Sequence, residues 1–479
     1  MTHPQPGMIV NPSPRAEADS TRTRVLIITG DRIGARMAGP AIRVWSMAEE
    51  ISTSCDVRVV SWAAIERTAD AFELHHVRET DDAAMSVHER WADVIIVQGV
   101  SFRIFPSIAR TDKIVVADLY DPFHLEQLEQ NKHLDATRWN EEVTKAVSLL
   151  NEQLSRADCF LCASERQQTL WLGALSAAGR INPLTYSADP SFDSFVRIVP
   201  FGLPSGPASQ TRHGLKGTVD GIGPDDKVLI WGGGIYDWFD PVTLVRAVGS
   251  VATRHPEVKL FFMSARHFNP DVPEMQVLAE TVRTSDELGL TDRNVFFNEN
   301  WVDYDDRINY LLDADAGVST HPVHLETRFS FRTRLLDYLW ARLPIITTDG
   351  DGFADLVRER GLGRVVPPAD PDALADAIVD VLYDDDLRAS AITAIDSVRE
   401  EFTWERVLAP LREFCEAPAV APDRAASPSE RRQQADFDRI LSMPKGRRRD
   451  AALVMYYLRT GGVRRAIDKA RGRRERQSG

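Results

Sequence analysis

Cysteine is scarce in this chain, four residues in 479, and no run approaches the roughly 18 consecutive apolar residues that a membrane-spanning helix requires. The scarcity excludes a disulfide-stapled scaffold. Cys159 and Cys162 have the spacing of a metal or redox pair, but they fall in an apparent buried strand. Residues three apart in a strand face opposite ways, so core filling in a reducing cytosolic setting is the expected role. An apolar signal segment is also lacking: residues 1–22, with Pro4, Pro6, Pro12 and Pro14, read as a disordered arm. Net positive charge is missing too. At −14 overall, the chain is not expected to bind nucleic acid. The charge is uneven, however. From Glu430 to Gly479 there are fifteen Lys/Arg against six Asp/Glu, which suggests a basic tail with its own partner.

What is present is strand–helix alternation, and it occurs twice. Short apolar runs fall at Val25–Thr29, Val57–Trp62, Val94–Val97, Ile114–Ala117, Phe160–Ala163 and Val196–Val199. A second series falls at Val228–Trp231, Val258–Met263, Val295–Phe297, Ala316–Ser319, Pro344–Thr347 and Arg364–Val366. Buried parallel strands read as continuous apolar runs because helices cover both faces. The expected class is therefore α/β, with two doubly wound, Rossmann-like domains. Their expected bounds are 23–205 and 227–401. Residues 206–226, rich in Gly, Ser and Thr, fit a linker, and 402–422 a final helix and second linker before a basic tail at 423–479.

In open α/β sheets, ligands bind beyond the carboxyl ends of the strands. Three loops follow from that rule. The first runs from Gly30 through Gly39-Pro-Ala-Ile-Arg43, where Gly39 lets backbone approach an anion and Arg43 lies early in the next helix. The second is Trp231-Gly-Gly-Gly-Ile-Tyr-Asp-Trp238. Asp237 stands where a dinucleotide fingerprint needs glycine, which disfavours a dehydrogenase, while Gly233 and Gly234 suit a diphosphate or sugar. The third, His321 to Arg334, gathers Arg328, Arg332 and Arg334 near a helix start expected to be capped by Ser330. Positive charge there suits a departing diphosphate, provided the three guanidiniums face the groove.

Taken together, these segments resemble glycosyltransferases of GT-B fold, of the retaining family-four type, over about residues 24 to 415. Val199-Pro-Phe-Gly-Leu203, Leu335 to Thr348 and Asp349-Gly-Asp-Gly-Phe-Ala-Asp355 carry the resemblance. It implies two domains facing across a cleft, with a nucleotide diphosphate-sugar held mainly by the second. Asp337 takes the place of the second Glu of a Glu-x7-Glu motif, which holds ribose hydroxyls. The first Glu would fall at Phe329; Glu326, three residues earlier, is expected to contact the transferred sugar. The family's basic pair after the first C-terminal strand is absent from Ile235–Pro241, so the arginines, with Arg266, are expected to substitute. His124, in Asp118-Leu-Tyr-Asp-Pro-Phe-His124, is expected near the reacting sugar, and Asn298, Glu299 and Trp301 near the base.

Asp349 and Asp351 resemble a metal-binding Asp-x-Asp pair, but their position favours a turn, and neither metal nor cofactor is expected. The expected acceptor is a hydroxyl of a glycan or lipid-linked molecule. The basic, partly apolar tail at 430–479 suggests docking on an anionic membrane from the cytoplasm. A nucleotide-sugar epimerase, or a non-catalytic sugar- or protein-binding descendant, remains the alternative.

Overall fold

Thirteen parallel strands build two sheets in the computed structural model, which describes residues 22–266, 275–425, 439–440, 443–444, 446 and 448–459. The first contains β1 (Arg24–Thr29), β2 (Asp56–Ser61), β3 (Glu73–His76), β4 (Val94–Val97), β5 (Ile114–Asp118), β6 (Cys159–Cys162) and β7 (Val196–Ile198). Its order is β3-β2-β1-β4-β5-β6-β7. The second contains β8 (Lys227–Trp231), β9 (Val258–Phe262), β10 (Val295–Phe297), β11 (Ala316–Ser319), β12 (Ile345–Thr348) and β13 (Gly363–Val366), ordered β10-β9-β8-β11-β12-β13. In each sheet the strand order reverses beside the first strand, the switch point where ligands bind. All twelve expected strands are present within a residue or two. The exception is β3, whose Glu-Leu-His-His sequence carries no apolar run because it is an edge strand open to solvent.

Two compact units divide the chain. The larger takes in residues up to Ile181 and Ser191–Ala419, and the smaller Asn182–Pro190 with the residues from Val420 onward. Both sheets lie in the larger unit. The arm at 1–21 lies outside the described residues, as does most of 426–447 and all of 460–479.

Two domain boundaries need correction. The segment 206–226 is no free linker: Asp313 accepts the backbone amides of Gly214 and Leu215 at 2.7 and 2.8 Å, fixing it to the second domain. The helix Ala409–Glu416 returns to the first domain, where Leu411, Phe414 and Cys415 complete the core beneath β1, β2 and β6. Cys159 and Cys162 are fully buried, and burial pushes both thiols up to about 12.

The second sheet is pinned beneath its glycine loop by Tyr338. Its ring lies over Gly317, where a Cβ would come within 2.3 Å of the ring. The hydroxyl lies 2.9 Å from the Val318 carbonyl and 3.1 Å from that of Ile230, and it accepts the Gly232 amide at 2.9 Å. Side-chain length at position 338 thus sets where the loop after β8 begins.

Candidate functional site

A cleft of about 350 Å³ opens between the two sheets. The first domain contributes Met37–Pro40, Tyr120, Asp121 and Glu126 to it. The second contributes Gly232–Gly234, Tyr236, Trp238, Trp301, Tyr304, Arg307, Glu326 and Ser330–Arg334 with Asp337. The first domain's residues reach it from the loop 30–38 after β1 and the turn 119–122 after β5, each leading into a helix. Gly39 opens the helix Gly39–Ile51, with Pro40 in its first turn. Gly233 adopts φ of +97°, a left-handed conformation that favours glycine.

The three arginines of the third loop separate. Arg328 is exposed, stacks on Phe329 and does not line the cleft. Its expected donor role is therefore not supported by its placement. Arg332 lines the cleft but is engaged: Nη1 and Nη2 donate to the two oxygens of Glu326 at 2.9 Å each, and Nε lies 3.4 Å from Asp351.

Arg334 differs. It is 8% exposed, its Nη2 donates to the Gly234 carbonyl at 2.9 Å, and its Nη1 is buried without a hydrogen-bond partner. Trp231 and Phe239 lie 4.3 and 4.1 Å from the guanidinium, measured to their ring centroids. No carboxylate among the described residues pairs with it, and burial depresses its pKa to about 10. A buried cation with an idle donor beside a cleft is a ready anion site.

Ser330 closes the short helix Leu325–Phe329 instead of capping the one that carries Asp337, which runs Arg334–Trp340 behind Thr333. Asp337 nonetheless faces the cleft, 3.2 Å from Arg307 Nε. Glu326 also lines the cleft, although Arg332 occupies both its oxygens.

Arg43 requires a firm correction. It is completely buried away from the cleft, with Nε and Nη2 on the Asp118 carboxylate at 2.8 and 2.9 Å. Its remaining donors reach the Pro200 and Val199 carbonyls at 3.0 and 2.8 Å. It is a structural ion pair, not a donor ligand. Arg266 is exposed and outside the cleft lining. His124 also lies outside that lining. Its ring packs against Trp171, and desolvation lowers its pKa to about 4. Of the residues expected near the base, Trp301 lines the cleft, whereas Asn298 is tied to the Met263 carbonyl and Glu299 is exposed.

Sequence reasoning pointed to the segment around His124, but other side chains of that segment reach the cleft. Asp121 and Glu126 face the cleft and hydrogen-bond to each other. Burial is the main cause of a raised pKa at both; Glu326's charge adds to it, as do Asp118's at Asp121 and Asp121's at Glu126, and Asp121 stands at about 6 although its hydrogen bond with Glu126 lowers it. The available signal was their place: Asp121 lies in the turn just after β5 and Glu126 in the first turn of the short helix Phe123–Gln130 that follows. Asp351 ends the turn after β12. It caps the helix Gly352–Arg360, is buried, and meets His321 at 2.8 Å. Asp349 is exposed on Arg358. Among the described residues no group of three or more His, Cys, Asp or Glu side chains is placed to hold a metal.

Residues 226–384, from just before β8 to just after the helix Pro371–Tyr383, match the family described as Glycosyl transferases group 1. The second sheet and its helices are thus similar to a glycosyl transferases group 1 domain. A phosphatidyl-myo-inositol mannosyltransferase of Mycobacterium leprae is 30% identical over 92 residues, 19% of this chain and about a quarter of that relative's length. Among solved structures, a sucrose-phosphate synthase from Thermosynechococcus elongatus superposes with a TM-score of 0.57 at 15% identity, covering 82% of this chain and 98% of that one. Anabaena HepE, in complex with UDP-glucose, gives 0.59 at 14% identity over the same shares. These likenesses show the GT-B fold: two parallel-stranded α/β domains, of which the second carries the group 1 match.

Proposed function

We propose that the chain transfers a sugar from a nucleotide diphosphate-sugar to a hydroxyl acceptor, with retention at the anomeric carbon. One observation carries the reading: Arg334, buried beside Gly233 and Gly234, has an unused donor and no carboxylate partner. A diphosphate would supply the missing charge, and the glycines let it approach the backbone. The UDP-glucose bound by HepE supports that ligand class. In such a site the bond from the anomeric carbon to the diphosphate oxygen breaks while the acceptor oxygen bonds on the same face. The acceptor's proton passes to the departing phosphate oxygen. No protein nucleophile, metal or cofactor is needed. The protein positions the partners and stabilises the developing charge, with Asp337 holding ribose and Glu326, fixed by Arg332, bordering the sugar.

The test is calorimetric titration with UDP-, GDP- and ADP-sugars. One of them should bind, and no binding across the panel would favour the non-catalytic alternative. Affinity should also fall as pH rises through about 6. Above that value Asp121 ionises beside a bound anion. The anion further disfavours ionisation, so binding takes up a proton and is strongest below the window. Asp121→Asn should flatten the profile.

We further propose a peripheral contact with anionic membrane through 430–479, in keeping with glycan or glycolipid synthesis at the cytoplasmic face. Residues 448–459 form a helix on which Ala451, Val454, Met455 and Leu458 are all exposed, spaced as a single face. Arg448 and Arg459 are exposed at its ends, the pairing of apolar and cationic groups that an anionic interface favours. No described helix is long and apolar enough to cross a membrane. Deleting 430–479 should abolish sedimentation with phosphatidylglycerol vesicles; unchanged sedimentation would remove the membrane contact.

A further inference from the structure

Arg307 has no part in the reaction described above, yet it is a buried, closely held cation in the cleft. It begins the helix Arg307–Leu311 and is 9% exposed. Its Nε donates to Asp337 Oδ1 at 3.2 Å and its Nη1 to the Tyr304 carbonyl at 2.6 Å. The guanidinium stacks on Tyr304 at 3.8 Å and on Trp340 at 4.9 Å, measured to the ring centroids. Two hydrogen bonds and two aromatic faces leave it one orientation, and that orientation fixes the carboxylate it holds.

Tyr304 is anchored in turn on the opposite domain. Its amide donates to the Ala35 carbonyl at 2.8 Å, and its ring packs against the first domain's core. The residues beside it join the same contact: Asp303 pairs with Arg36 and Asp305 with Arg67, each at 3.3 Å. A continuous chain therefore runs from the loop after β1, through Tyr304 and Arg307, to Asp337.

We infer that Arg307 is a positioning residue: it aims the Asp337 carboxylate at the ribose hydroxyls of the nucleotide, and the Tyr304–Ala35 contact holds it in place. The inference rests on the donor site proposed above. A carboxylate that is part-exposed and free to rotate gains little from a hydroxyl that water could replace. A carboxylate held in one rotamer can accept hydroxyl hydrogens without further ordering cost. The first domain thereby contributes to ribose recognition without touching the ribose.

The experiment is calorimetry on the full chain with UDP, GDP and ADP and their 2′-deoxy counterparts. The wild-type chain should bind the ribo form of at least one about tenfold or more tightly than its 2′-deoxy form, the scale of one hydrogen bond to a charged group. Arg307→Ala should bring that ratio close to one, as should Asp337→Ala, and the double variant should lose no more discrimination than either alone. Arg307→Lys, which keeps the charge but not the planar fork, should give an intermediate ratio. A role in stability alone would weaken both ligands in parallel and leave the ratio intact, overturning the inference. Should Arg307→Ala not fold, a wild-type ratio in Arg307→Lys overturns it equally. If none of the three nucleotides binds the wild-type chain, the donor-site reading falls and this inference with it. If they bind without discrimination, or with discrimination that Arg307→Ala preserves, only the inference falls.

Discussion

Arg334→Met should reduce nucleotide-sugar affinity about 100-fold or more, the scale on which a desolvated charge contact acts, while leaving the unliganded protein at least nearly as stable. The two halves of this expectation have one cause. In the unliganded protein the guanidinium is buried without a counter-charge, and burial already weakens its hold on its proton. It is kept in place by one carbonyl, two aromatic faces and little else. Methionine fills a similar volume against Trp231 and Phe239 without the desolvation cost. What it cannot do is neutralise a diphosphate. Calorimetry with the nucleotide-sugar that binds the wild-type chain best, beside a thermal melt without ligand, checks both halves. Undiminished affinity would remove Arg334 from the donor site. Arg332→Met is the contrasting control. It strands the buried Glu326 and Asp351 carboxylates, so its principal effect should be lost stability, roughly 3–5 kcal/mol for a broken buried pair.

The difference between these neighbouring arginines marks the limit of what the sequence disclosed. Parallel strands buried on both faces announce themselves through unbroken apolar runs, so twelve of thirteen were legible, and with them the switch points where a ligand must lie. β3 was hidden because an edge strand has no need of that pattern. The glycines of the loop after β8 and the carboxylate of Asp337 were legible as cleft residues because that placement follows from the fold. Charge pairing was not. Arg328, Arg332 and Arg334 are two and four residues apart in sequence, but one reaches solvent, one meets two acids, and one meets none. That outcome depends on Asp351, from the turn after β12, and on where Gly234 presents its carbonyl, and both are tertiary facts. The helix Ala409–Glu416 misled for a similar reason: amphipathic spacing shows that a face will be buried, not which domain will bury it.

Arg43 brings the same lesson to its most consequential test, because the two roles considered for it predict opposite results. A donor ligand, removed, would cost nucleotide affinity and leave the fold intact. The interior pair seen in the structure predicts the reverse. Arg43→Met leaves Asp118, itself fully buried, with only the Gln98 side-chain amide, which donates at 2.8 Å. It also strips the Val199 and Pro200 carbonyls, in the segment that leads from the first domain to the second, of their donors. Stranding one member of a buried ion pair costs about 3–5 kcal/mol, so the unfolding midpoint should fall on the order of 10 °C for a domain of this size. Adding Asp118→Asn should recover much of the loss, because a neutral amide can be buried where an unpaired carboxylate cannot. Nucleotide affinity, measured well below the lowered midpoint, should change little. A stable Arg43→Met protein with weakened affinity would return Arg43 to the donor site and show that the Asp118 pair opens when ligand binds.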